Sequence, residues 1–234
     1  VLPTFNEAEI LPTTIQRVLA VIPWAEVLVV DDQSPDGTAR LARSLSEVDP
    51  RIHVLCRRGP RGLGLAYVDG FRWGLARDYR YLFEMDADLS HAPEHLPALL
   101  AALEEGADVV VGSRNIPGGR VEGWGPGRHL LSRGGSLYAR LTLDLPLRDL
   151  TSGFKGYTRR ALQKIDIETL RSNGYSFQIE TSFRALRRGL RVQEVPIVFV
   201  DRRVGRSKMN GRIFLEALLI VWKLRASSFA GASR

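Results

Sequence analysis

A repeated alternation of short β-rich runs with helical stretches constrains this chain more than any other feature of its sequence. Residues 27–30, 52–55, 81–85 and 108–111 are dominated by Val, Ile, Leu, Tyr and Phe, and residues 7–21, 38–48, 64–76 and 93–105 carry helical patterns. Strands alternating with helices predict an α/β domain with a mostly parallel central sheet covered on both faces. Val1 and Leu2 read as the end of a first strand. Ligands of such sheets bind beyond the carboxyl ends of the strands. Three polar clusters follow predicted strand ends: Pro3-Thr4-Phe5-Asn6-Glu7, the run from Asp31-Asp32 to Gly37-Thr38, and Asp86-Ala87-Asp88-Leu89-Ser90-His91. All three are expected on one rim.

Beyond Gly112 the pattern changes. Five glycines fall between Gly118 and Gly127, beside Pro117 and Pro126, which reads as a disordered loop or a mobile lid. A helix over 129–142, a polar turn over 149–155, a helix over 176–188, a strand over 192–200 and an apolar helix over 213–224 complete the reading. The expected organisation is a catalytic domain over 1–211 and a C-terminal amphipathic helix and tail over 212–234. No run reaches the roughly 18 apolar residues of a membrane-spanning helix, and no signal-peptide pattern is seen. A single Cys56 excludes an internal disulfide and suits a reducing cytoplasm. The net charge of +7 is unevenly spread: residues 184–234 hold twelve Lys/Arg against three acids, whereas the preceding residues are slightly acidic. A basic end favours an anionic partner such as phosphate, nucleic acid or a membrane surface, or else is a solvated face.

Asp86 and Asp88 stand one residue apart where a buried strand gives way to a loop. Two such carboxylates can converge on Mg²⁺ or Mn²⁺, which take oxygen ligands and share them with substrate phosphates; equally, they can end the strand and cap the next helix. Asp32 can hold a ribose hydroxyl or a base edge, while Ser34 or Asp36 can cap the helix after Pro35. The stretch from Arg61 to Ala66 has two glycines of a dinucleotide fingerprint, but Tyr67 occupies the third position, so it reads as a tight turn into a helix. Arg202, Arg203, Arg206 and Lys208 form either a phosphate clamp or a solvated basic turn.

Seven segments in order resemble the inverting glycosyltransferases of family 2 and, within it, the dolichol-phosphate mannose synthases. They are 3–7, 31–38, 85–91, Gly112-Ser113-Arg114, 149–154, 174–180 and 202–208. The resemblance implies a GT-A-like domain and transfer of mannose from GDP-mannose to a dolichyl or polyprenyl monophosphate with inversion. It implies that Pro3, Phe5, Glu7, Val30 and Asp32 meet the nucleoside, and that Asp86, Ala87 and Asp88 hold Mg²⁺ or Mn²⁺ and the diphosphate. Arg114, Arg202 and Lys208 would meet phosphates, with Asp88, Arg202 and Lys208 acting in catalysis; Arg128 and Ser132 resemble residues that receive the acceptor phosphate. Phe5 stands where the family usually has Tyr, and Ser90 where some members have a third metal ligand. Members without membrane spans use a partner subunit or separate membrane domain, which implies a cytoplasmic, peripherally membrane-associated protein. A UDP-glucose or UDP-aminosugar transferase to the same lipid would share these features. Nucleic-acid binding and a metal-dependent phosphohydrolase are the rivals from other classes. The first leaves three acidic clusters unexplained, so no nucleic-acid partner is expected; the second does not account for the whole motif set.

Overall fold

The computed structural model of the protein describes residues 1–170, 172, 174–201 and 219–226. The alternation read from the sequence is present: β1 (Leu2–Thr4), α1 (Leu11–Val21), β2 (Val27–Asp31), α2 (Thr38–Val48), β3 (Ile52–Cys56), α3 (Leu63–Leu75), β4 (Tyr81–Glu84), α4 (Leu96–Glu104) and β5 (Val109–Ser113). There follow β6 (Arg120–Glu122), α5 (Pro126–Leu143), β7 (Lys155–Thr158), α6 (Arg159–Ile165), α7 (Gly174–Arg187), β8 (Val192–Pro196) and β9 (Val198–Val200).

β1, β2 and β3 pair in parallel, and β4, β7, β5 and β8 form a second group in that order. The Val1 amine donates to Phe83 O at 2.7 Å, and Met85 N–H donates to Val1 O at 3.3 Å, so β1 abuts β4 in parallel and the two groups join. The sheet is therefore mostly parallel, with β7 the antiparallel member against both neighbours. Every residue of β2 is buried because both faces are covered. Val27 and Val29 face α1 and α4 with Leu11, Ile15 and Leu99, whereas Leu28 and Val30 face Ala66 of α3.

The glycine-rich segment is not the bare loop its composition suggests. It crosses beneath Pro196 and forms β6, which pairs in parallel with β9. A Cβ at Gly119 would lie 2.4 Å from Ser113 O, and Gly123 has φ 89° against Asp201. These glycines serve a tight crossing rather than looseness. α5 begins at Pro126, three residues before the expected start. The strand expected over 192–200 breaks at Ile197, with β8 staying in the main sheet and β9 leaving for β6. Of the apolar helix expected over 213–224, residues 219–226 are described and helical; the proposed domain boundary at 211/212 lies outside the described residues. Val221 and Leu224 are buried with Ala139, Leu143 and Phe183. Among the described residues no helix is long and apolar enough to cross a membrane.

Candidate active site

The loops after β1, β2 and β4 meet at one rim, and the first two are bound to each other. Asn6 N–H donates to Ser34 Oγ (3.0 Å), Glu7 N–H to Thr38 Oγ1 (3.0 Å) and Ala8 N–H to Asp36 Oδ2 (3.1 Å). Slight burial opposes ionisation of Asp36, but hydrogen bonds from Thr38 and Ala8 outweigh it and hold the carboxyl below its ordinary value. The residue that opens α2 is Gly37, without a side-chain cap, so Ser34 and Asp36 mainly stitch loops together. Each of the three loops also contains a non-glycine residue in the left-handed region: Asn6 (φ 61°), Gln33 (φ 63°) and Leu89 (φ 60°). For leucine this conformation is an outlier, and such backbone clusters where a site over-determines it.

Asp32 is buried at the tip of β2. One carboxylate oxygen accepts from Arg57 Nη1 and the other from Gly62 N–H at 2.7 Å. Arg57 also donates to Asp69 of α3 at 2.7 Å, so it bridges two carboxylates. The turn into α3 thus delivers an amide to Asp32. Beside it, the Arg61 guanidinium lies 4.7 Å from the Phe5 ring centre. Pro3 is half-buried on β1. Val30 is fully buried with Leu28 and Ala66, so only its main chain can face a ligand.

Asp86 and Asp88 follow β4, one strand beyond β1. Two strand spacings, about 10 Å, separate the tips of β2 and β4, and α3 spans the gap: its Gly62 end reaches Asp32 and its Tyr67 hydroxyl donates to Asp86 Oδ1 at 3.4 Å. Asp88 Oδ1 accepts from Ser90 N–H, and Ala87 O accepts from Thr14 Oγ1 at 2.7 Å, which pins the loop to α1. The buried His91 ring accepts the Asp86 amide hydrogen at Nδ1, 3.3 Å away. Burial lowers its pKa to about 4, against the pull of Asp88, so the ring is neutral at working pH. A methyl group at Gly153 would sit 3.5 Å from Gln178 Nε2, 3.6 Å from His91 Cε1 and 3.7 Å from Asp86 Oδ1. These groups therefore converge beneath the pair of carboxylates. Asp86 side-chain exposure is 31%, while Asp88 is buried. Among the described residues no group of three or more His, Cys, Asp or Glu could hold a metal. Two hard carboxylates fit Mg²⁺ or Mn²⁺ when phosphate and water oxygens complete the shell.

The opposite wall is built differently. Arg114 and Asp149 form a buried two-pronged pair at 2.7 Å, with Arg114 Nη2 also donating to Thr151 Oγ1 at 2.9 Å. Burial alone would weaken both charges; their mutual attraction holds Arg114 above and Asp149 below their ordinary values. The expected phosphate contact of Arg114 thus has a built-in carboxylate competitor. Arg128, at the start of α5, donates to both oxygens of Asp201 at 2.8 and 2.9 Å and lies 4.3 Å from the centre of the Trp124 ring. Ser132 lies one turn further along α5, half-buried. Val200 N–H donates to Ser90 O and Val198 N–H to His95 Nε2, so β9 is tied to the Asp86–Asp88 loop. Arg202 and Lys208, of the basic run that follows Asp201 in sequence, lie outside the described residues.

The model of the family described as glycosyl transferase family 2 matches residues 1–166. This chain belongs to glycosyl transferase family 2. It is 49% identical over 228 residues to an undecaprenyl-phosphate mannosyltransferase of Micrococcus luteus, covering 97% of this chain and 93% of that protein. It is 47% identical to a polyprenol monophosphomannose synthase of Mycolicibacterium smegmatis, covering 96% and 86%. Among solved structures, glucosyl-3-phosphoglycerate synthase from Mycobacterium tuberculosis in complex with Mn²⁺, UDP-glucose and phosphoglyceric acid superposes with a TM-score of 0.73 at 19% identity, over 96% of this chain and 78% of that one. The fold is that of a GT-A-like glycosyltransferase, and the chain is an enzyme of this family.

In this glycosyltransferase, Arg57, Asp69, Trp124 and Asp201 touch or flank residues singled out by motif, yet no sequence signal gave them a role. His91, Asp149 and Gln178 fell within segments noted for the family resemblance, and Tyr67 only interrupted a fingerprint, all without a role. A pairing partner 25 or 35 residues away, such as Arg57 for Asp32 or Asp149 for Arg114, leaves no local pattern.

Proposed function

We propose that the chain transfers mannose from GDP-mannose to a dolichyl or polyprenyl monophosphate, with inversion at the anomeric carbon. The observation that carries this reading is that β9, bonded through Val200 to Ser90 in the Asp86–Asp88 loop, ends at Asp201, which holds Arg128. The names of the two relatives support mannose and a polyprenyl phosphate. Phe5, Asp32 and the main chain of Pro3, Glu7 and Val30 would receive the nucleoside. Asp86, Ala87 and Asp88 would hold Mg²⁺ or Mn²⁺ and the diphosphate, where the ion would neutralise the charge of the departing GDP.

An oxygen of the acceptor phosphate attacks the anomeric carbon while the bond to GDP breaks on the opposite face. A phosphate monoester has its second pKa near 6, so this nucleophile is already ionised at neutral pH. No side chain need remove a proton, in keeping with a rim histidine, His91, that is buried and turned inward. The harder task is to bring an anion to an anionic donor, for which Arg128, Ser132, Arg114, Arg202 and Lys208 are the candidates. The protein would work at the cytoplasmic face of a membrane, with or without a membrane-anchoring partner.

The test offers the protein GDP-mannose, UDP-glucose or a UDP-aminosugar with a short-chain polyprenyl phosphate, with and without Mg²⁺ or Mn²⁺. The expected product is a β-linked lipid-phosphate mannose, formed from GDP-mannose and only with a cation. Preference for a UDP-sugar, or no lipid-extractable sugar at all, would overturn the reading.

A further inference from the structure

Trp124 stands alone between Gly123 and Gly125, at the joint where β6 hands over to α5. Gly123 has φ 89°, and a Cβ there would lie 3.0 Å from Asp201 Cβ. Asp201 N–H donates to Glu122 O at 2.9 Å. The backbone therefore fixes the Trp124 turn against Asp201 before any side chain acts. The indole then meets two guanidinium groups: Arg128 Cζ lies 4.3 Å and Arg114 Cζ 5.8 Å from its ring centre. Both fall within the roughly 6 Å over which a π face attracts a cation, and tryptophan offers the strongest such face. The Phe199 ring lies 5.3 Å from Trp124 and 5.3 Å from His91, so the indole is also packed to the Asp86–Asp88 loop.

Two features say that the ring is there for its face. A buried indole N–H ordinarily finds an acceptor, yet Trp124 Nε1 is buried with no hydrogen-bond partner among the described residues. A side chain that bears this cost is kept for its area and its electron-rich ring, not for its polar atom. The arginines, in turn, have spent only part of their donors. Arg114 commits Nε and Nη2 to Asp149 and Thr151, and Arg128 commits Nη1 to Asp201. Arg114 Nη1 and Arg128 Nε and Nη2 have no hydrogen bond among the described residues. Drawing two cations together costs repulsion, which a shared π face offsets. We propose that Trp124 is a positioning residue for the acceptor phosphate, its indole holding the Arg128 and Arg114 guanidiniums together. When an incoming phosphate takes Arg128 over from Asp201, the ring still holds the fork, so its orientation need not be found anew. The assignment rests on the acceptor reading above.

Calorimetric titration of the whole chain with farnesyl phosphate, a short polyprenyl phosphate, tests the role, beside the KM values of transfer. Trp124→Leu should weaken farnesyl phosphate about tenfold and raise the acceptor KM to match, while the KM for GDP-mannose moves less than about twofold. Trp124→Phe keeps a π face and discards the unsatisfied N–H, so it should bind within about threefold of the wild type. In an Arg128→Ala background, Trp124→Leu should cost no more than about twofold, because the cation it positions is gone. Wild-type affinity in Trp124→Leu would overturn the proposal alone, as would a Phe variant that binds as poorly as the Leu variant. A donor KM that rises in step with the acceptor KM would make Trp124 a structural member and also overturn it. Should Trp124→Leu not fold, difluorotryptophan decides, since it keeps the shape of the ring and drains its π face. It should weaken binding about threefold in the wild-type chain and leave Trp124→Phe unchanged; equal binding with and without fluorine in the wild-type chain would overturn the proposal. A wild type that binds no farnesyl phosphate would remove the acceptor reading itself, and the role of Trp124 with it.

Discussion

The two walls of the site are held together by different physics. On the side of β1, β2 and β4, the loops are fixed largely by neutral main-chain donors, beside the buried Arg57–Asp32 pair: Asn6, Glu7 and Ala8 bond into 34–38, Gly62 into Asp32, and Ser90 into Asp88. On the side of β6, α5 and β9, the polar side chains are held by charge: Arg114 on Asp149 and Arg128 on Asp201. Main-chain bonds set a shape that does not depend on substrate. An arginine held by a carboxylate, in contrast, is held by something an incoming phosphate resembles. The first wall is preformed, and the second contains stand-ins for the anions it would bind.

The largest expected effect breaks the preformed wall at its functional point. Asp88→Ala should lower transfer on the order of 10⁴-fold at saturating Mg²⁺ or Mn²⁺, equivalent to about 5 kcal/mol of transition-state stabilisation, while the fold persists by circular dichroism. Undiminished turnover would remove the cation from the reaction. Next comes the buried pair of the second wall. Asp149→Ala should cost about 3–5 kcal/mol in urea unfolding, because it leaves the Arg114 charge buried and unpaired. Replacing both residues, Arg114→Met with Asp149→Leu, should cost less than either single change. If that double variant folds and still transfers sugar normally, Arg114 is a structural member only and the stand-in comparison fails at this position.

His91 gives a pH-dependent test of the first wall. Its pKa falls from 6.5 to about 4 on folding because burial disfavours the charged ring. The unfolded chain therefore takes up a proton between those values that the folded one refuses, and stability declines as pH drops from about 6.5 towards 4. Glu84 acts in the opposite sense: burial raises its carboxyl to about 7, so its contribution declines as pH rises from 4.5 to 7. Comparing the wild type with His91→Asn cancels Glu84. The wild type should lose up to about 3 kcal/mol relative to the variant across the acid window. Parallel stability curves would show that the ring is not held neutral.

How much of this was legible in the sequence follows from where the interactions run. The elements up to β5 could be read because apolar runs and helical periods are local, and their strand tips named Asp32, Asp86 and Asp88. β7 was missed: it is short, polar at Lys155 and contains Gly156, and it becomes a buried strand only because it slots between β4 and β5. β6 was missed for a related reason, since Arg120–Glu122 forms a strand only by pairing with β9 some eighty residues later. The glycines were legible as glycines, but their crowding against Ser113 O was not. The same holds for Arg57, whose place beside Asp32 is set by the register of β2 on β3.

The smallest effect is the most discriminating, because the two walls predict opposite signs for it. Asp201 is partly exposed, and its pair with Arg128 should be worth no more than about 1 kcal/mol to folding. If Asp201 merely fixed a preformed site, Asp201→Asn would loosen Arg128 and weaken acceptor binding. If it stands in for a phosphate, the same change releases Arg128 from a competitor, and the KM for polyprenyl phosphate should fall by about two- to fivefold, with less change in kcat. The gain should shrink at high salt, which screens partly exposed charges, and it should vanish in an Arg128→Ala background. A KM that rises would assign Asp201 to the preformed wall and leave Arg114 as the one stand-in to be tested.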